Sequence, residues 1–376
     1  MTPLFADDAL DEVAAGLRRA FNDPPAERVR TDTVQPLAPY VDFLGEFYRD
    51  TLVEYSVDGQ DEFCLRPDLT LAIAARVAAG ELAPGRYVYD DLVFRGARTA
   101  SRRGDAGFAP LQRQVGLEIF GPGADVGEDA GLVLQVHGAL AGLGLSGLHI
   151  RVSDVALITG VIDQFDLHPN WKRRLARTLS SQQAFTTALD AARRAPERAS
   201  ALSQALAAIP AEAAREAVTE VFAMSGIEPI GSRSLEDIAD RMVAKSAEAR
   251  AGLQARDAET LCDVLAIEGP FGEALDAIEA RLGAAGKSDR LGSLRQFADT
   301  LEAGGIAPGQ VSFDADLTRH ISYYDGLIFE IFDESGEVFL GGGGRYDMLV
   351  ESLSKGAVSH PALGAMLRPG AIAGLA

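Results

Sequence analysis

Apolar residues in the first stretch of the chain, 7–22 (DDALDEVAAGLRRAFN), recur at spacings of three and four, which predicts an amphipathic helix. An extended TDTVQP segment then gives way to a helical pattern, and VEYSV and EFCLR flank a DGQ turn as a hairpin. LTLAIAARVAAGEL predicts a helix closed by Gly and Pro, and GRYVYDDLVFR predicts a strand. The polar segment GARTASRRGDAGF predicts a loop. LQRQVGLEIFG predicts another strand. Val115, Leu117 and Ile119 fall on one face to pack under helices, while Gln114, Gly116, Glu118 and Phe120 fall on the face expected to open on a cleft. GEDAGLVLQVHGALAGLGL predicts a helix and GLHIRVSD a strand.

The pattern changes at 166–304. Alanine-rich segments with few β-branched residues replace the alternation, which predicts an all-helical insert, with a serine capping the RSLEDIADRM helix. Strands return in QVSFDADL, YYDGLIFEIF and GEVFLGGG. The expected organisation is therefore one α+β domain, 1–165 with 305–376, interrupted by a helical insertion.

Composition narrows the function classes. Lys and Arg number 35 against 55 Asp and Glu, a net charge of −20 that opposes non-specific binding to phosphate backbones. The two cysteines, Cys64 and Cys262, have no zinc or disulfide spacing, so neither metal nor cofactor is expected. No membrane-length apolar run and no signal-like start is present, so a cytoplasmic setting is expected.

Several polar residues cluster at strand ends. Arg66, Asp68 and Thr70 follow one strand at alternate positions, Arg95 ends the next, and Gln114 and Glu118 share a face of the third. Arg319, Tyr323 and Tyr324 lead into LIFEIF. Taken singly, each fits a surface ion pair or a strand cap. Together they offer carboxylates for an ammonium, arginines for a carboxylate and tyrosines for an aromatic wall, as an amino-acid pocket needs. Alternation predicts that Tyr323 and Tyr324 face opposite ways, one of them into the core. The run at 341–344, GGGG, has no phosphate-loop spacing and fits close backbone approach beside a ligand.

LRPDLT, VFR with QVGLEIFG, LTRHISYYDGLIFE and GGGGRYDMLV occur in the order in which similar segments occur in histidyl-tRNA synthetase. The chain thus resembles that family's class II catalytic core over about residues 30–160 and 305–365. The resemblance implies a class II antiparallel sheet flanked by helices. It also implies a histidine pocket of Asp68, Thr70, Arg95, Gln114, Glu118, Arg319, Tyr323 and Tyr324. Arg95 or Arg319 would meet the carboxylate, and one of the two tyrosines would line the ring.

The departures from the family pattern fall on the nucleotide side. Ala97 stands where the family has an adenine-reading glutamate, and Gln112 where it has an aromatic. Arg368 comes early and is followed by proline, which disfavours the family's strand-to-helix turn. His320, Ile321 and Ser322 replace the middle of the histidine signature, and the chain ends at Ala376 without room for an anticodon-binding domain. These departures make the chain similar to the non-catalytic regulatory relatives of the family, which assemble with a short-form ATP phosphoribosyltransferase catalytic subunit. The expectation that follows has no catalytic residues. It has L-histidine as effector, and a homodimer, formed near 34–47, within a hetero-oligomer. The competing expectation is a working amino-acid-activating enzyme.

Overall fold

The computed structural model describes residues 8–43, 51–57, 61–96, 110–121, 123, 125–179, 182–198, 200–225, 235–250, 252–282, 289–317 and 323–375. The turn at 58–60, Ala97 and most of its loop, Ser234, and 318–322 with Arg319 lie outside them.

Strands are β1 (Glu27–Arg28), β2 (Val34–Pro36), β3 (Val53–Val57), β4 (Asp61–Leu65), β5 (Arg86–Phe94), β6 (Leu111–Phe120), β7 (His149–Asp154), β8 (Glu268–Pro270), β9 (Val311–Asp314), β10 (Leu327–Phe332), β11 (Phe339–Arg345) and β12 (Ala362–Leu367). The helices before the alanine-rich stretch are α1 (Asp8–Phe21), α2 (Leu37–Phe43), α3 (Thr70–Ala78), α4 (Val126–Ala141) and α5 (Val155–Gln164). Within it lie α6 (Pro169–Thr178), α7 (Gln182–Arg198), α8 (Ala201–Ala207), α9 (Ala211–Ser225), α10 (Leu235–Arg250), α11 (Ala255–Leu265), α12 (Phe271–Leu282) and α13 (Asp289–Ala303). Two short helices, α14 (Leu349–Leu353) and α15 (Pro369–Ala373), follow.

Two compact units divide the chain, Met1–Ile158 with Val264–Ala376, and Thr159–Asp263. The first is built on a sheet of order β1-β5-β6-β12-β11-β10-β7-β9-β8, with a small sheet β2-β4-β3. The large sheet is mostly antiparallel, with parallel pairs at β1–β5 and β7–β9. Its helices form as their sequences direct. α1 carries Asp8 and Asp11 in its first turn and Arg18 and Arg19 in its last, complementing the helix dipole, and buries Val13, Ala14, Leu17 and Phe21. Asp125 caps α4 by accepting from the Gly127 and Glu128 amides at 2.8 and 3.2 Å. On β6, Val115 and Leu117 are fully buried, as the alternation predicts.

The second unit has its own small core, Leu206, Ala214, Val218 and Ala239, backed by Phe222, Met242 and Val243. The compositional boundary at 304 and the compact-unit boundary at 263 differ. Phe271 of α12 packs on Phe297 of α13 and Phe313 of β9, each at 5.9 Å between ring centroids, and β8 pairs with β9. Helix-rich composition reports local propensity, whereas these aromatic contacts decide which core a helix joins.

Two local expectations are corrected. Tyr323 and Tyr324 precede β10 in a turn, so strand alternation does not apply, and both face the same cleft. Pro369 occupies the first turn of α15, where its missing N–H is harmless, so the strand-to-helix junction at Arg368 is kept.

Candidate functional site

The centre of the large sheet carries a cleft lined by residues of β5, β6, β10, β11 and β12. Asp68, Thr70, Arg95, Gln114, Tyr323 and Tyr324 all line it, although they are spread over more than 250 positions. Register explains the gathering. β6 is paired with β5 on one side and β12 on the other, and β11 and β10 follow in the sheet. The ends of β4 and β5 and the β6 face therefore meet the turn before β10.

Asp68 sits between β4 and α3. One carboxylate oxygen accepts from the Leu71 amide at 2.7 Å, the other from the Tyr323 hydroxyl at 3.3 Å. Burial raises its pKa, while the Leu71 amide, Arg95 and Tyr323 pull the other way. Arg95 is buried at the end of β5, its backbone N–H donating to Pro110 at 2.8 Å. Arg66, the first of the alternating trio, is instead structural. It is 1% exposed, and its guanidinium donates to the carbonyls of Leu92 and Thr31 at 2.7 and 2.6 Å.

Glu118 occupies a different place from its neighbour Gln114. It is fully buried behind the wall of the cleft, not on its surface. Thr70 donates to one of its oxygens at 2.5 Å and the Tyr346 hydroxyl to the other. Burial drives its carboxyl up to about 8, offset by the Thr70 and Tyr346 hydrogen bonds and reinforced by nearby Asp68. Shared alternation puts Gln114 and Glu118 on one face, but only the third dimension lays Thr70 and Tyr346 over the second of them.

The glycines make this closeness possible. A Cβ at Gly364 would collide with the Glu118 carboxylate and lie 2.8 Å from the Tyr346 hydroxyl. At Gly344 a Cβ would come within 3.0 Å of the Tyr324 ring. Gly342 and Gly343 form cleft wall directly, which accounts for the glycine run. Tyr323, Tyr324 and Tyr346 pack as a trio, with centroids 4.9, 5.6 and 6.1 Å apart. Tyr346, Tyr89, Glu330 and Phe339 escape sequence reasoning. Tyr89 lies on the face of β5 that alternation would have indicated, and Tyr346 directly follows the glycine run.

Gln112 and Arg368 meet beside this cleft. The Arg368 guanidinium donates to the Phe339 carbonyl at 3.0 Å and lies 5.6 Å from the Phe339 ring centroid. With the Gln112 amide oxygen turned toward it, Gln112 accepts from Arg368 Nε at 2.5 Å and Nη2 at 3.3 Å. Both side chains are buried. The guanidinium is thus directed onto the protein's own strands.

A sheet of this order, with a polar-aromatic cleft at its centre, is the core of a class II aminoacyl-tRNA synthetase fold. The family model described as histidyl-tRNA synthetase matches residues 36–228 and 218–372. A solved Bacillus halodurans chain described as an ATP phosphoribosyltransferase regulatory subunit/histidyl-tRNA synthetase shares the fold with a TM-score of 0.63. The two are 20% identical, and the match covers 98% of this chain and 79% of that one. A histidine–tRNA ligase subunit from Alicyclobacillus acidocaldarius gives 0.57 at 22% identity, over 99% of this chain and 94% of that one. In sequence, the chain is 31% identical over 353 residues to the ATP phosphoribosyltransferase regulatory subunit of Mesorhizobium japonicum, covering 91% of each. The subunit of the same name from Brucella canis is 30% identical over 350 residues, 90% of each. The chain belongs to the ATP phosphoribosyltransferase regulatory subunits, a family built on the histidyl-tRNA synthetase fold.

Proposed function

We propose that the chain is a non-catalytic subunit of the first step of L-histidine biosynthesis. It activates a short-form ATP phosphoribosyltransferase catalytic subunit and transmits feedback inhibition by L-histidine bound in the central cleft. The observation that carries this reading is the contrast inside one site. Groups suited to a zwitterion line the cleft, while beside it Arg368 is engaged by Phe339 and Gln112. Asp68 takes the ammonium, with Gln114 beside it. Arg95 or Arg319 takes the carboxylate, and Tyr323 and Tyr324 wall the ring. Glu118, its carboxyl raised to about 8 by burial, acts through Thr70 and Tyr346 by fixing the wall behind the ligand. Histidine shifts the assembly only as far as it prefers one state, typically about 1–3 kcal/mol.

The test is reconstitution with the catalytic subunit, assayed with and without histidine. The expected result is activation by this chain and inhibition by histidine that Asp68→Asn in this chain relieves; no change in either overturns the reading. The preserved strand-to-helix junction at Arg368 favours a second reading, an amino-acid-activating enzyme. Robust histidine-dependent pyrophosphate exchange would establish it and displace the first.

A further inference from the structure

One stretch of the second unit runs against the acidic balance of the chain. Between positions 167 and 196 there are six basic side chains and one acid, Asp190, a net of +5 in a chain of net −20. Four of the six lie on α6: Lys172, Arg173, Arg174 and Arg177. The three arginines are exposed, and at spacings of three and four they form one continuous cationic face. Arg193 and Arg194 on α7 are exposed too, and α7 packs against α6.

Among the described residues, no carboxylate lies within 4 Å of Lys172, Arg173, Arg174, Arg177 or Arg193, and only Arg194 has a distant partner, Asp190 at 3.8 Å. Arg177 sits in the last turn of α6, where the helix dipole favours it, but Arg173 and Arg174 do not. Like charges three and four apart oppose the helix. The stems still have a defined course: Arg174 lies over the Trp171 ring at 5.2 Å, and Arg173 donates to the Asn170 side chain at 2.5 Å. The face is held in place, and its charge points to solvent.

We infer that the arginine face of α6, extended by α7, is an interaction surface for an acidic patch on a protein partner, the phosphoribosyltransferase catalytic subunit; this rests on the reading given under Proposed function. A protein carboxylate patch fits better than nucleic acid. The aromatic residues of the two helices, Trp171 and Phe185, are buried, so neither can stack on a base. The chain's net charge also repels an extended polyanion, whereas a compact acidic patch meets only the local field.

The experiment compares the full-length chain with R173E/R174E/R177E, mixed with the catalytic subunit and followed by sedimentation at low and raised salt. The expected result is association by the wild type that weakens as salt rises. The triple variant should bind at least about tenfold more weakly, with little salt dependence left. Its far-UV circular dichroism and its histidine affinity by calorimetry should match the wild type. Arg173→Gln/Arg174→Gln/Arg177→Gln, with neutral side chains on the same helix, should fall between the two. Association of the charge-reversed chain within twofold of wild type overturns this inference alone. Failure of the wild type to associate overturns it together with the functional reading. Binding of a single-stranded oligonucleotide by the wild type, lost in the variant while association with the catalytic subunit is kept, assigns the face to nucleic acid and also overturns it.

Discussion

Glu118 offers a direct test of how the site is built. Its carboxyl is fully buried, with a folded-state pKa of about 8 against 4.5 when exposed. Between those values the folded chain holds a proton that the unfolded chain has released, so this group's contribution to stability is present at low pH and lost as pH rises through the window. At 1.36 kcal/mol per unit, the loss between pH 5 and pH 7 is about 2–3 kcal/mol. Asp129 and Asp325, both raised to about 6 by burial, act in the same direction below pH 6, so the wild-type profile alone does not isolate Glu118. Glu118→Gln does. The amide has the same shape, accepts from one hydroxyl and donates to the other, and does not titrate. The chain has a built-in probe for each unit. All eight tyrosines lie in the unit holding Glu118, and the single tryptophan, Trp171, lies in the other. Urea unfolding followed by tyrosine absorbance therefore reports the relevant core, and Trp171 fluorescence serves as the control. From pH 5 to pH 7 the variant should gain about 2–3 kcal/mol relative to wild type on the tyrosine signal, with no change on the tryptophan signal. A wild-type-to-variant difference that stays constant within about 0.5 kcal/mol across that range refutes a neutral Glu118.

Three further outcomes are expected. Gly364→Ala places a methyl group against the Glu118 carboxylate and the Tyr346 hydroxyl, and should destabilise the first unit by about 1–3 kcal/mol in the same urea assay; an unchanged midpoint would show that the wall yields freely. Asp68→Asn should weaken histidine by about 1.5–3 kcal/mol in calorimetry, through loss of a charged partner for the ammonium, and unaltered affinity removes Asp68 from the site. Arg290→Met strands Asp154, which is 0% exposed and accepts from Arg290 Nε at 3.0 Å; a loss of about 3–5 kcal/mol should follow, with partial recovery in Arg290→Met/Asp154→Asn.

Strands β2–β7 and β9–β11 and helices α1–α4 were apparent in the order of apolar and polar residues, because each needs only its own periodicity to bury one face; the short β1, β8, β12, α14 and α15, and α5, were not. Val115 and Leu117 as core, and the candidate groups at the ends of β4 and β5, were apparent in the same way. Charge also belongs to the sequence outright, including the basic run at 172–177 in an acidic chain. Packing and register decided the rest. Whether α12 and α13 join the sheet or the helical unit depends on Phe271, Phe297 and Phe313 meeting across 42 positions, which no local pattern encodes. Tyr323 and Tyr324 share one cleft because a turn, not a strand, carries them. Gln114 and Glu118 have the same periodicity, yet one lines the cleft and the other is sealed behind it. Periodicity sets the face on which a side chain emerges, but the residues that cover it come from distant segments, here Thr70 and Tyr346.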